Sequence, residues 1–381
     1  MSLFSDPSVG IADPLLRRAY ALAEQGRGTT SPNPLVGCVV VSAGEVVGEG
    51  FHRCAGGPHA EVVALEAAGE RARGSHVYVT LEPCNHFGTT PPCVDLLLDR
   101  GVAAVTIGMR DPNTQVSGGG AEALAARGVD VTFAQDRAPF AAQNESWLTR
   151  LRLGRPFVRV KVALTLDGRP ALAVQRRSRI TGAGGRSVTM RLRSEATAIA
   201  VGASTLKVDD PGLTLRDGDE SVSERTPRRV VLSRTSVPDP RLEVIRDGRG
   251  CVLVVSDAAQ EQSVSALRDV GVQVLMYPYR EGLAAALTAL AADGVNDVLI
   301  EAGPSLFSAL WRDKLIDELV LITAGGMSGN AGPPLYLGRA DSCGPDLAPV
   351  FYPVETGIVE GDAVTVWRPR EDPSEAQERE C

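Results

Sequence analysis

The sequence predicts an α/β protein built as two domains. Three observations carry this expectation. Apolar, β-branched runs alternate with segments of helical periodicity in both halves of the chain. At 381 residues the chain is long for one domain. A helical pattern that ends near residue 152 is followed by the breaker Leu153-Gly154-Arg155-Pro156, where the boundary is placed. The domains are therefore expected at 1–152 and 156–370. Residues 371–381 are charged and lack apolar periodicity, so they read as a disordered tail.

Each element has its own signal. Residues 14–25 place apolar side chains at helical spacing. Residues 36–41 are a continuous β-branched run, the pattern of a buried strand. A helix over 60–68 begins beside His59-Ala60-Glu61. A strand at 77–81 delivers Glu82-Pro83-Cys84, and a helix over 94–98 follows Pro91-Pro92-Cys93. Strands at 102–107 and 129–133 enclose a helix at 121–127, and 134–152 reads as one helix leading out of the domain. The second half starts with a strand at 157–162. Further strands are expected at 198–201, 229–232, 251–255, 272–276, 298–301 and 318–323, with helical patterns between several of them. Both halves are thus helices covering a sheet.

Composition narrows the function. Apolar residues are 44% and charged residues 23%, ordinary for a globular protein, and the formal charge is −8. A nucleic-acid binder should show a basic stripe, and this acidic chain has none. No apolar run is long enough to span a bilayer. The first residues lack the charged-then-apolar order of a secretory signal. A cytoplasmic protein with a small-molecule substrate is expected, with no nucleic acid and no membrane partner. The seven Cys are irregularly spaced, which suits thiols or metal ligands better than disulfides.

The chemistry concentrates in His59-Ala60-Glu61, Glu82-Pro83-Cys84 and Thr90-Pro91-Pro92-Cys93. One imidazole and two thiols can hold zinc and leave a position for water, whereas a structural zinc takes four protein ligands. The Glu two residues after the His is placed as a proton shuttle, so His59, Cys84 and Cys93 are the expected ligands and Glu61 the catalytic acid–base. Helix starts at His59 and Cys93 favour an anion, which eases thiolate formation. The spacing departs from the common P-C-x-x-C form, because eight residues separate Cys84 from Cys93.

That departure points to one family. The run from Thr80 through Cys93, with His59-Ala60-Glu61, closely resembles the deaminase half of the bifunctional riboflavin-biosynthesis deaminase-reductases. So do Ser31-Pro32-Asn33-Pro34-Leu35-Val36-Gly37 and Arg110-Asp111-Pro112-Asn113. The likeness continues through the segments at 161–168 and 208–211, and covers roughly residues 13–370. It implies a cytidine-deaminase-like α/β/α domain followed by a dihydrofolate-reductase-like α/β domain, with Zn2+ and NADPH as cofactors. It also implies substrate contacts at Asn33, His52 and His86. In the second half it implies NADPH contacts at Ala163, Thr205, Asp209 and Gly303, and substrate-phosphate contacts at Arg193, Leu213, Arg216 and Glu301. A homo-oligomer, dimer or tetramer, is the expected state.

The reaction so implied is zinc-dependent hydrolytic deamination of 2,5-diamino-6-ribosylamino-4(3H)-pyrimidinone 5′-phosphate, followed by NADPH-dependent reduction of the ribosyl chain to ribityl. Some positions depart from the family pattern. Thr89 and Gly119 stand where basic residues are usual, Arg177 and Arg179 replace a Ser and a Trp, Ser233-Arg234 replaces an Asp-Ser type of pair, and Gly325 replaces a Pro. These motivate an alternative: a specialised-pathway paralogue with an active deaminase on a related pyrimidine and a degenerate or non-catalytic reductase domain. The Gly118-Gly119-Gly120 run is a weak phosphate-binding signal, and no Gly-x-Gly-x-x-Gly follows a strand, so a Rossmann fold lacks support.

Overall fold

The computed structural model of the chain describes residues 3–87, 91–113, 119–173, 179–216, 221–223, 225–338 and 351–370. Two units are distinguished, Met1–Arg152 and Leu153–Cys381. Thr89, Gly118, Arg177 and the tail at 371–381 lie outside the described residues.

In the first unit, helix α1 (Pro14–Glu24) is started by Asp13, whose carboxylate accepts from the amides of Leu15 and Leu16 at 2.8 and 3.2 Å. Strand β1 (Gly37–Ser42) pairs antiparallel with β2 (Glu45–Phe51) and with β3 (His76–Leu81). Helix α2 (Ala60–Ala68) lies between β2 and β3 in sequence. Then come α3 (Cys93–Asp99), β4 (Ala104–Met109), α4 (Gly120–Ala126) and β5 (Asp130–Phe133). β3, β4 and β5 run parallel, and the sheet order is β2-β1-β3-β4-β5. Helices α5 (Ala138–Gln143) and α6 (Glu145–Leu153) close the unit.

The sheet is covered on both faces. Val40, Val79 and Ile107 bury against Ala64 and Leu65 of α2, Leu97 of α3 and Leu124 of α4. Leu81 and Met109 cluster with Leu16 and Tyr20 of α1 and with Phe140, Trp147 and Leu148 of α5 and α6. This is the expected α/β/α layering, with two differences. β2 was not expected, because Gly48 and Gly50 break its apolar alternation. Helix α2 explains them: a Cβ on Gly48 would lie 2.1 Å from the Ala64 carbonyl, and one on Gly50 2.6 Å from the Ala60 carbonyl. The expected single helix at 134–152 is two helices, interrupted at Asn144 (φ −101°, ψ 16°).

The second unit is built on a nine-stranded sheet. In chain order its elements are β6 (Phe157–Leu164), α7 (Ala183–Glu195), β7 (Ala198–Gly202), α8 (Ala203–Asp209), β8 (Arg228–Leu232), α9 (Glu243–Arg246), β9 (Val252–Ser256), α10 (Glu261–Asp269), β10 (Gln273–Tyr277), α11 (Gly282–Ala292), β11 (Asp297–Glu301), α12 (Pro304–Arg312), β12 (Glu318–Thr323), β13 (Phe351–Val359) and β14 (Asp362–Pro369). The sheet order is β10-β9-β8-β7-β11-β6-β12-β14-β13. Strands β6 to β12 are parallel to their neighbours, whereas β14 pairs antiparallel with β12 and β13. The parallel strands read as apolar runs because both faces are covered. β13 and β14 escaped the sequence reading: β13 is mostly exposed, so it lacks a continuous apolar signature.

Candidate active sites

Strand β3 ends by projecting Glu82-Pro83-Cys84 towards the starts of α3 and α4. The Glu82 carboxylate is buried and accepts from the amides of Asp111 (3.2 Å) and Ala121 (3.0 Å). It therefore ties the loop after β4 and the first turn of α4 to the strand end. Gly120 lets α4 approach, since a Cβ there would sit 2.0 Å from the Pro83 carbonyl. Cys93 is the first residue of α3. Its amide donates to Cys84 Sγ at 3.3 Å, and the next amide, of Val94, donates to the Cys84 carbonyl at 3.2 Å. His59 is the residue before α2, and its Nδ1 lies 3.2 Å from Cys93 Sγ and 3.6 Å from Cys84 Sγ.

The ligand atoms of His59, Cys84 and Cys93 all lie within 4.8 Å of one another. Among the described residues no fourth His, Cys, Asp or Glu joins the group. The electrostatics suit a cation. The hydrogen bond from Cys93 is the main influence drawing the Cys84 thiol down to about 4, against burial and with help from His59. The same bond, with burial, pushes the Cys93 thiol up. The pair thus shares one proton, which a divalent ion would displace. Glu61, in the first turn of α2, is buried, and burial raises its carboxyl above the usual range. This donor set fits zinc, and Glu61 stands beside it without joining the ligand group.

Asn33 and His52 meet at the same end of the sheet. Asn33 Nδ2 is 3.0 Å from His52 Nε2, and His52 Nδ1 is 3.0 Å from the Pro58 carbonyl. The His52 ring meets the His59 ring edge-on, with centroids 5.7 Å apart. His52 is buried and saturated by these partners. His86 differs: its Nδ1 is buried with no partner among the described residues. Gly119, with φ +89°, precedes α4 in a left-handed conformation that suits glycine.

In the second unit a cavity of about 1470 Å³ opens at the strand ends. Ala163, Thr205, Asp209, Gly303, Arg193 and Glu301 line it. Gly303 caps α12, and a Cβ there would sit 2.7 Å from Thr205 Oγ1, so the backbone at this helix start is bare. A helix start with a glycine before it is suited to a dinucleotide's phosphates. Partial burial would raise the Glu301 carboxyl, but Arg193 and Lys161 hold it at about 2. Arg193 Nε donates to Glu301 Oε1 at 2.6 Å, and Lys161 Nζ lies 3.7 Å from Glu301 Oε2.

Leu213 and Arg216 do not line this cavity. Leu213 is buried in the cluster of Ile199, Val201 and Leu253, with φ +50°, an unusual conformation for Leu. Its loop is held on both sides. Arg229 donates to the Gly212 carbonyl at 3.0 Å, and Arg193 to the Thr214 carbonyl at 2.8 Å. Sequence reasoning gave no role to Glu82, Lys161 or Asn144. Lys161 leaves one signal, a charge inside an apolar strand; the other two depend on distant backbone partners that no local pattern records.

Comparison with known proteins decides the family. Residues 12–109 match the cytidine and deoxycytidylate deaminase zinc-binding region, and residues 156–343 match the RibD C-terminal domain. The riboflavin biosynthesis protein RibD of Escherichia coli K12 is 38% identical over 327 residues, spanning 83% of this chain and 88% of its own. The chain belongs to the RibD family. The RibD of Aquifex aeolicus is 36% identical over 319 residues, covering 82% of this chain and 87% of its own. Among solved structures, Acinetobacter baumannii RibD superposes with a TM-score of 0.83 at 33% identity, covering 93% of this chain and 98% of that one. A Thermotoga maritima diaminohydroxyphosphoribosylaminopyrimidine deaminase/5-amino-6-(5-phosphoribosylamino)uracil reductase gives 0.79 at 31%, with the same coverage. As a RibD-family protein the chain is a zinc-dependent deaminase fused to an NADPH-dependent reductase of riboflavin biosynthesis. Nothing in these comparisons favours the specialised-paralogue alternative. Among the described residues no helix is long and apolar enough to cross a membrane.

Proposed function

We propose that the first unit deaminates 2,5-diamino-6-ribosylamino-4(3H)-pyrimidinone 5′-phosphate and that the second reduces the ribosyl chain of the product to ribityl. The observation that carries this reading is the grouping of His59, Cys84 and Cys93 with buried Glu61 beside them. His59, Cys84 and Cys93 hold the zinc, which when bound supplies Lewis acidity that makes hydroxide available from water near neutral pH. Glu61 takes the proton of the attacking water and returns it to the departing amine, so one C–N bond breaks, one C–O bond forms and ammonia leaves. Asn33 reads the pyrimidine edge through an amide oriented by His52. His86, whose Nδ1 has no partner among the described residues, contacts the substrate.

In the second unit NADPH, when bound, supplies a hydride for the sugar's C1′. Ala163, Thr205, Asp209 and Gly303 hold the cofactor. Arg193 and Glu301 form the substrate side of the cavity, and the Leu213–Arg216 loop, clamped by Arg193, contributes beside them. Lys161, held against Glu301, supplies the proton taken up by the ring oxygen as the sugar opens. Domains at 1–152 and 156–370 and a homo-oligomeric assembly complete the reading. Incubating the purified protein with the diaminopyrimidine phosphate, with and without NADPH, and following products by mass tests it. A deaminated ribosyl product without NADPH, and a ribityl product with it, is expected. A reductase half that oxidises no NADPH on deaminated substrate would instead support the paralogue reading.

A further inference from the structure

The loop between α1 and β1 carries Asn33 and is held from several sides. Thr29 Oγ1 reaches the carbonyls of Gly26 (2.8 Å) and Arg53 (2.6 Å), and the Asn33 amide donates to the Thr30 carbonyl at 2.8 Å. The hold on the loop's far end comes from outside the site. Asn144 Oδ1 accepts from the Leu35 amide at 2.7 Å, and Asn144 Nδ2 donates to the Leu35 carbonyl at 3.0 Å. Both bonds are buried, and 109 residues of sequence separate the partners. One side-chain amide thereby pairs both backbone groups of Leu35, as a neighbouring strand would. Arg150, on the following helix α6, adds a second hold, with Nη2 donating to the Pro32 carbonyl at 3.1 Å.

Asn144 sits where the expected single helix breaks into α5 and α6. Between the two held backbone sites stands Asn33, flanked by Pro32 and Pro34. Proline fixes φ, so little slack remains between a displaced Leu35 and Asn33. The Asn33 side chain is fixed in turn. A carbonyl only accepts, so the Pro58 carbonyl places the His52 proton on Nδ1 and leaves Nε2 to accept from the Asn33 amide nitrogen. Asn33 Oδ1 therefore faces away from His52.

We propose that Asn144 is a positioning residue of the deaminase: by pairing with both backbone groups of Leu35, it sets the reach of Asn33 towards the pyrimidine. This rests on the reading of Asn33 as a substrate contact. Asn144 touches neither substrate nor metal; it acts through Leu35 and Pro34, and Arg150 supports the same loop through Pro32.

A double-mutant cycle on the full-length, zinc-loaded enzyme tests it, with kcat and KM of deamination measured separately. Asn144→Ala should lower kcat/KM by about tenfold to a hundredfold, the scale of a sub-ångström to one-ångström misplacement. Zinc content and NADPH-dependent reduction should stay as in the parent. In an Asn33→Ala background the same change should add little, because the group it positions is gone. Full additivity of Asn144→Ala and Asn33→Ala, or a lowered Tm with unchanged kcat/KM, would overturn the proposal. An Asn33→Ala enzyme of normal kcat/KM would overturn the reading of Asn33, and the proposal with it. If Asn144→Ala does not fold, Arg150→Ala replaces it, since its bond to Pro32 is exposed. A smaller loss that vanishes in Asn33→Ala supports the proposal, and a loss that persists there contradicts it.

Discussion

Cys84 is where the deaminase half is most sensitive to a single atom. Its thiolate is favoured by the Cys93 hydrogen bond and by His59, and its amide neighbours latch it to α3. Cys84→Ser should therefore lose zinc and deamination together, and metal analysis checks it: full zinc occupancy in that variant would remove Cys84 from the ligand set. These ligands could be picked out of the sequence because their chemistry is scarce and their spacing distinctive. Glu82 and Asn144 could not, because each works through backbone groups far away in sequence. In the cavity of the second unit, Arg179 lines the wall, and Arg234 stacks over Tyr279 at 4.2 Å. Exposed cations of this kind attract the 2′-phosphate of NADPH and are screened over about 8 Å at physiological ionic strength. NADPH should accordingly bind better than NADH, with a preference that shrinks as salt rises. Arg179→Trp should flatten that salt dependence, which equilibrium titration of both dinucleotides measures.

Strand β2 and helix α2 meet backbone to backbone, and this contact explains both a weak sequence signal and a strong structural constraint. Gly48→Ala would place a Cβ 2.1 Å from the Ala64 carbonyl, where only backbone can move. It should cost at least the 1–3 kcal/mol that is roughly usual for overpacking, read as a lowered midpoint of chemical unfolding. Strands with both faces buried were legible as apolar runs, and helix α2 was legible as a helical segment beginning beside His59-Ala60-Glu61. β2, β13 and β14 were not, because close-approach glycines and exposed edges carry no periodic pattern. At the β6–β12 interface, burial would raise the Glu318 carboxyl, but Arg159 and Arg368 hold it at about 2. Its folded pKa lies below the ordinary 4.5, so its stabilisation is present above that pH and is lost as pH falls towards 2. Glu318→Gln should be less stable at neutral pH, with buried Arg159 deprived of its carboxylate partner, and should lose less on acidification. Unfolding midpoints across that pH window check both parts.

Across the whole molecule, two units carry two separate sets of chemistry on one chain. The ligand group and Glu61 belong to Met1–Arg152, while the cavity with Lys161, Arg193 and Glu301 belongs to Leu153–Cys381. Their coexistence was readable from one breaker segment and two alternating patterns. Glu61→Gln separates them. The variant preserves shape, so zinc should remain bound at parent occupancy. Ammonia release from the diaminopyrimidine phosphate should fall by roughly 10²–10⁴-fold, the scale of a lost general acid–base. NADPH oxidation on the already deaminated substrate should stay near that of the parent. Zinc-loaded Glu61→Gln releasing ammonia at the parent rate, or losing NADPH oxidation in step with it, would contradict this division of chemistry.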